Sequence, residues 1–159
     1  MDLYMWVKYV HVLSATVLFG TGIGTAFAMI AAHLRARHQP AVLATVAENV
    51  VLADWLFTLP AVIVQPVTGA VLMGLVGYPL TSGWIVASLI LYVLIGACWL
   101  PVVWIQVRMA RLARTAADTG QPLQRAYHRL FRWWFALGWP AFTAVMLIFW
   151  LMLYKPDLF

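Results

Sequence analysis

The sequence predicts an all-α protein, a four-helix transmembrane bundle. Of its 159 residues, 65% are hydrophobic and 9% are charged, whereas ordinary soluble domains carry about 25% charged residues. A soluble chain this short buries only about two-thirds of the surface that its unfolded state exposes, so it could not hide so much apolar surface. Four apolar runs also each reach the roughly 20 residues that cross about 30 Å of hydrocarbon. The solvent around most of this chain is therefore expected to be lipid.

The four predicted spans follow one another along a single domain, residues 1–159, with no internal repeat. They cover residues 4–32, 46–76, 83–107 and 131–154. All four can exceed the minimum length, which predicts tilt or extension into the interface. The first run has no basic stretch before it and no cleavage site after it, so it is expected to remain as a helix.

The distribution of Lys and Arg predicts the orientation of the bundle. Eight of the ten basic residues lie in or beside the first and third connections. They are Arg35, Arg37, Arg108, Arg111, Arg114, Arg125, Arg129 and Arg132. The positive-inside rule then predicts two cytoplasmic basic connections and both termini outside. In a bacterium this is a multi-pass protein of the inner membrane, with its termini in the periplasm.

Two acidic residues lie in the second predicted span. Glu48 is in its first turn, where a carboxylate suits the positive end of the helix dipole and could pair with the basic connections. Asp54 lies further in, and two interpretations stay open. It is either a structural acid paired with an arginine (Arg108, Arg111 or Arg132) or part of a proton relay.

The stretch WVKYVHVL, residues 6–13, gives the sharpest candidate site. It places Lys8 and His11 three residues apart on one helix face. His11 lies about 10 Å inside the first span at 1.5 Å per residue. Lys8 can extend its ammonium to the interface, but His11 is too short to do so. An imidazole there either makes an interhelical hydrogen bond or ligates a metal, and histidine is a common protein ligand to haem iron.

The residues that share a helix with His11 leave the same two interpretations open. Ser14 and Gly22 follow His11 at helical spacing, and GTGIGT, residues 20–25, adds a surface of small side chains. Such a surface serves close helix packing, or it leaves room for a flat cofactor. Gln65, next to Pro66, either bonds to the backbone that the proline frees or to a neighbouring helix, or it lines a cofactor pocket.

Other chemistry has less support in the sequence. The single cysteine, Cys98, cannot form an intrachain disulfide. The seven methionines are dispersed, and no nucleophile–base pair, phosphate-binding loop or CxxC motif is present. The remaining histidines flank or lie in the basic connections, away from the depth of His11. The sequence leaves open whether the protein is an enzyme.

The motifs WVKYVHVL, FGTGIGTAFAM, VLADWLFTLPAVIVQPVTG and RLFRWWFALGWPAF resemble an uncharacterised group of predicted bacterial integral membrane proteins, a domain of unknown function. The layout is more distantly similar to HemJ-type protoporphyrinogen oxidases and the CopD-type copper-resistance membrane domain. In the HemJ type, a first-helix histidine that matches His11 is understood to ligate a b-type haem. Where that type has a functional Lys in the third helix, this chain has Ser88. The HemJ type also has an Asn-Glu pair before a fourth-helix proline, and this pair is missing before Pro140 in this chain. These departures argue against porphyrinogen oxidation.

Together these inferences predict a b-type haem membrane protein with a redox or electron-transfer role near the outer face. His11 would ligate the iron. Three alternatives stay open for the second ligand to the iron: none, Met73, or His11 of a second copy of the chain. Lys8 could be a ligand, could pair with a haem propionate, or could anchor the helix at the interface. The expected partners are the bilayer and a homodimer or larger redox complex, with no nucleic acid, because the basic residues lie beside hydrophobic segments. The alternatives are a cofactor-free structural or assembly subunit, and a copper- or proton-handling protein that uses Asp54 and Gln65.

Overall fold

A computed structural model describes residues 2–158 as four long helices joined by three short connections. These are α1 (Leu3–Arg35), α2 (Pro40–Val76), α3 (Gly83–Thr119) and α4 (Arg125–Tyr154). All four are long and apolar enough to cross a membrane. The fold is therefore the predicted all-α arrangement of four candidate membrane-spanning helices. Both described ends of the chain lie at one end of the bundle, because the number of spans is even.

The helices are longer than predicted at the arginine-rich end of the bundle, here called the basic end. The predicted spans stopped at residues 32 and 107, whereas α1 and α3 continue to Arg35 and Thr119. The second and fourth spans were expected to start at residues 46 and 131, but α2 and α4 start at Pro40 and Arg125. The difference arises because hydropathy marks where lipid contact stops, while a helix continues as long as its residues can pack or be solvated.

Three exposed tryptophans lie toward the basic end of the bundle. Trp55, Trp104 and Trp133 are about 60% exposed, and Trp and Tyr are enriched at membrane interfaces. Near the termini, Tyr154 is also largely exposed. Trp133 and Tyr154 are 21 positions apart, which is about 31 Å along a helix and matches the roughly 30 Å hydrocarbon layer. Other exposed aromatic side chains, such as Trp139, lie between these two levels.

The basic end therefore extends beyond the bilayer. From Trp104, α3 continues for 15 more positions to Thr119, or about 22 Å. The main hydrophobic core lies in this region and includes the fully buried Met29, Leu43, Met109 and Tyr127. Its helix contacts are rich in alanine, which lets the backbones approach closely. This part needs a buried core because water surrounds it, whereas lipid-facing side chains elsewhere can stay exposed.

The second helix contains a π-helical turn at Asp54–Thr58. Here the backbone N–H of Leu59 donates to the carbonyl of Asp54, five residues back. Pro60 follows at once, and it has no N–H to continue the regular pattern. Single π turns inside α-helices often occur at functional sites. This one turns Asp54 and Thr58 into the bundle, where both are buried.

A proline near the middle of α2 frees a backbone carbonyl that α3 satisfies. Pro66 lacks the N–H that would bond to the carbonyl of Val62, four residues earlier. The Tyr92 hydroxyl of α3 donates to that carbonyl instead. This contact joins α2 to α3 within the membrane, where an unpaired carbonyl is costly.

Candidate functional site

His11 is half-buried and is held against α2 by a side-chain hydrogen bond. Its Nδ1 lies 2.8 Å from the Thr68 hydroxyl oxygen. That hydroxyl also lies 2.7 Å from the Val64 carbonyl and 3.2 Å from the Gln65 carbonyl, which can only accept. The single hydroxyl proton therefore points to the backbone, and Nδ1–H of His11 donates to Thr68. In the neutral imidazole this is the tautomer in which Nε2 carries no proton and keeps its lone pair.

A second contact between the same helices fixes the backbone beneath the imidazole. Gln65 Nε2 donates to the His11 carbonyl at 2.8 Å and to the Ser14 hydroxyl at 2.9 Å. The Ser14 hydroxyl in turn donates to the His11 carbonyl at 3.0 Å. Of the uses predicted for Gln65, the structure shows the bond to a neighbouring helix, because its amide nitrogen donates twice to α1.

The imidazole of His11 packs against Gly69 of α2, where there is no side chain. A Cβ built on Gly69 would lie 3.4 Å from Cε1 of His11. This is van der Waals contact distance, so a side chain larger than a methyl group has room there only if it points away from the ring. Thr68 and Gly69 thus determine where the imidazole lies and which nitrogen is free, and sequence reasoning identified neither of them as part of the site.

The other residues predicted for this site, Gly22, Met73 and Lys8, have surroundings of their own. Gly22 faces open space, since nothing lies within 4 Å of a Cβ built there. The small-residue surface of α1 is thus not used for packing within the described chain at this point. Met73 packs against Trp84, Ile85 and Leu151. Lys8 is exposed, and its ammonium lies 5.5 Å from the ring centroid of Tyr4.

Asp54 forms a second buried polar cluster at the level of the basic-end tryptophans. Thr58 donates to Asp54 Oδ1 at 2.8 Å. The amide nitrogen of Gln106 lies 2.7 Å from Oδ2 when the amide oxygen accepts from Nε1 of Trp134 at 3.2 Å. The indole N–H can only donate, so it fixes the direction of the Gln106 amide. Every hydrogen bond to Asp54 is then donated to it, which is the pattern that suits a carboxylate.

No arginine takes the place that the sequence suggested beside Asp54. Within residues 2–158 the one ion pair joins Arg114 and Glu48, with nitrogen–oxygen distances of 2.8 and 2.6 Å. The expected link between Glu48 and the basic connections is therefore present, whereas neutral donors hold Asp54. Gln106 and Trp134 were missed because their polar atoms come together only when α3 and α4 pack at this level.

The donor set limits which metal sites this chain can form by itself. The described residues contain no group of three or more His, Cys, Asp or Glu side chains that could hold a metal ion. His11 offers one nitrogen and no second protein ligand beside it. A metal ion that is already bound within a cofactor needs only that one nitrogen from the protein. Ser88 is buried and donates to the Trp84 carbonyl at 2.7 Å.

Comparison with known proteins agrees with the membrane architecture. The family described as "Predicted integral membrane protein (DUF2269)" matches residues 5–156. No curated protein and no solved structure matches the chain. Because the match covers nearly the whole sequence and the fold has four candidate membrane spans, this chain belongs to the DUF2269 family of predicted integral membrane proteins.

Proposed function

We propose that this protein binds a b-type haem through His11 and takes part in electron transfer near the end of the bundle that carries both termini. One observation supports this most directly. The Nδ1–H of His11 is taken up by Thr68, whose own proton goes to the backbone. Metal-ligating histidines usually donate their other N–H in this way, which fixes the ring and its tautomer.

The residues around His11 fit one axial ligand to a haem. Nε2 is the nitrogen left free, and a porphyrin supplies the other four nitrogens. The absence of a side chain at Gly69 lets the imidazole lie close to α2, where a Cβ would be 3.4 Å from its Cε1. Further along the same face of α1, the space at Gly22 is open. When bound, the haem would supply a one-electron redox centre. The contribution of the chain is to hold the imidazole, fix its proton on Nδ1 and keep the Nε2 lone pair available.

The first experiment is an absorption spectrum of the detergent-purified protein, oxidised and then reduced with dithionite, with a pyridine haemochrome assay for stoichiometry. A Soret band and a reducible alpha band at about one haem per chain would support the proposal. His11→Ala should abolish the bands while its circular dichroism stays helical. His38→Ala is the matched control, because His38 is exposed in the first connection at the opposite end. Full haem retention by His11→Ala would overturn the assignment.

A structural role for His11 is the second candidate, and a specific observation favours it. The His11–Thr68 bond and the two Gln65 bonds join α1 to α2 without any cofactor. A subunit that only assembles with other membrane proteins would use the same contacts. In that case the purified protein stays colourless after expression with added haem. His11→Ala would then lower the unfolding temperature and change nothing else.

A further inference from the structure

The basic end holds a cavity between the two connections that the bundle places there. Its volume is about 180 Å³. It is lined by Arg37, His38, Pro40, Pro122, Leu123 and His128. Three of these side chains carry N–H donors, and none of the six is acidic. This volume exceeds that of several water molecules, each of which takes up about 30 Å³ in the liquid. The cavity therefore has room for a small tetrahedral oxyanion.

Two helices begin at this cavity, and both leave their first turn open to an anion. Pro40 is the first residue of α2, and α4 begins at Arg125, between the lining residues Leu123 and His128. Neither start has a side-chain cap, and neither first turn contains an acidic residue. Helix N-termini carry partial positive charge and free N–H groups. The N–H groups and partial positive charge of these two helix starts add to the donors of Arg37, His38 and His128.

A wider cavity of about 420 Å³ continues from the first and shares His38, Pro40 and Pro122 with it. Its remaining lining has no charged side chain and consists of Gln39, Ala41, Ala116, Ala117, Gly120 and Gln121. The two cavities together therefore combine a compartment that contains Arg37 with one whose other side chains are small or uncharged. That combination suits an anionic group attached to a small organic body.

The far end of the second cavity lies beyond the level of the lipid phosphates. Gly120, which lines that cavity, lies 16 positions beyond Trp104, about 24 Å along the helix, whereas headgroups extend only about 5–8 Å past the hydrocarbon on each side. His128 of the first cavity lies closer to the headgroups, five positions from Trp133, or about 8 Å along the helix. A water-soluble ligand would enter through the second cavity. We propose that Arg37, His38 and His128 bind the phosphate group of a small water-soluble organic phosphate, whose organic part lies over Ala116 and Ala117.

Isothermal titration calorimetry on the detergent-purified full chain tests this, with inorganic phosphate and phenyl phosphate as probes in 150 mM NaCl. At this ionic strength diffuse attraction is screened within about 8 Å. Saturable binding is expected, with phenyl phosphate tighter than inorganic phosphate. Arg37→Gln and His128→Gln should each weaken binding at least about tenfold, because each removes a charge-assisted or polar hydrogen bond.

Arg35→Gln is the matched control, since it removes one charge from the same end of α1 without lining either cavity. It should change affinity less than twofold. The proposal is overturned if Arg35→Gln weakens binding as much as Arg37→Gln, or if neither probe saturates. It is also overturned if binding appears only with phosphatidylglycerol vesicles. Should Arg37→Gln fail to fold, His128→Gln and His38→Gln decide the same question. None of these results depends on whether His11 binds haem.

Discussion

At the scale of single residues, His11 shows how one hydroxyl can determine the chemistry of an imidazole. The sequence does not say which ring nitrogen is free. The structure does, because Nδ1 lies 2.8 Å from the Thr68 hydroxyl oxygen. Because the Thr68 proton is directed to carbonyls of its own helix, the direction of the hydrogen bond is fixed as well. The available lone pair on Nε2 is a consequence of this arrangement.

Replacing that hydroxyl should therefore affect haem binding. Thr68→Val keeps the shape of the side chain but removes the acceptor for Nδ1–H, and loss of such a partner costs about 10- to 100-fold in metal affinity. We expect haem affinity, measured by titration of the haem-free protein, to fall by about tenfold or more. Thr45→Val is the matched control, because Thr45 also lies on α2 and donates to the carbonyl four residues back. Equal affinities in the two variants would contradict the role given to Thr68.

The sequence predicted His11, Ser14 and Gln65 as site residues, but not Thr68 and Gly69, which lie against the imidazole ring. Spacing along one helix identifies which side chains share a face, and this was enough to place Ser14 beside His11. It carries no information about which part of another helix lies opposite. Thr68 is an ordinary residue of an apolar run, and Gly69 gains its meaning only from the 3.4 Å approach to the imidazole. Contacts of this kind depend on the packing of α1 against α2, which a single sequence does not specify.

At the scale of elements, the π turn in α2 brings a carboxylate into the bundle and surrounds it with donors. Asp54→Asn would place an amide N–H₂ group against Thr58 or Gln106, both of which donate to the native carboxylate. Gln106 cannot turn around without losing its bond from Trp134. We expect a loss of about 1–3 kcal/mol in the free energy of unfolding, the cost of unpaired buried polar groups. Thermal unfolding in detergent measures it, with the exposed Asp118→Asn as the control.

The outcome that would contradict this structural role is also specific. If Asp54→Asn unfolded like the native protein but stopped a proton-linked activity, Asp54 would belong to a proton relay. The predicted pairing of Asp54 with arginine came from counting charges near one level of the membrane. Neutral donors at that level were overlooked because glutamine and tryptophan carry no formal charge.

The link between Tyr92 and the proline-freed carbonyl in α2 can be tested by a double-mutant cycle. Tyr92→Phe leaves the Val62 carbonyl without its partner from α3, so stability should fall by about 1–3 kcal/mol. Pro66→Ala restores a backbone N–H that can bond to Val62 within α2. Tyr92→Phe should therefore cost less in the Pro66→Ala background, and unfolding of all four proteins measures the coupling. Equal costs in both backgrounds would show that Tyr92 does not compensate for the proline.

At the scale of the whole molecule, the four spans were predictable and the water-exposed end was not. Apolar runs of sufficient length identify membrane helices because lipid imposes that length. The basic end has a different pattern, with alanine and arginine alternating around a core that includes Met109 and Tyr127. Such a segment is too polar for a membrane span, so hydropathy assigned it to connections. The same extension carries the cavity that Arg37, His38 and His128 line.

The orientation of the bundle is a prediction about the whole molecule, and it can be tested with single cysteines. In a Cys98→Ala background, Thr119→Cys lies at the basic end of α3 and Asp157→Cys lies beyond α4 at the opposite end. The positive-inside rule predicts that the arginine-rich end is cytoplasmic. A membrane-impermeant maleimide should then label Asp157→Cys in intact spheroplasts and Thr119→Cys only in inverted vesicles. The reverse pattern would place His11 toward the cytoplasmic side and the cavity lined by Arg37, His38 and His128 toward the periplasm. Labelling of both cysteines from one side would contradict the four-span architecture itself, because one span, α4, separates residues 119 and 157.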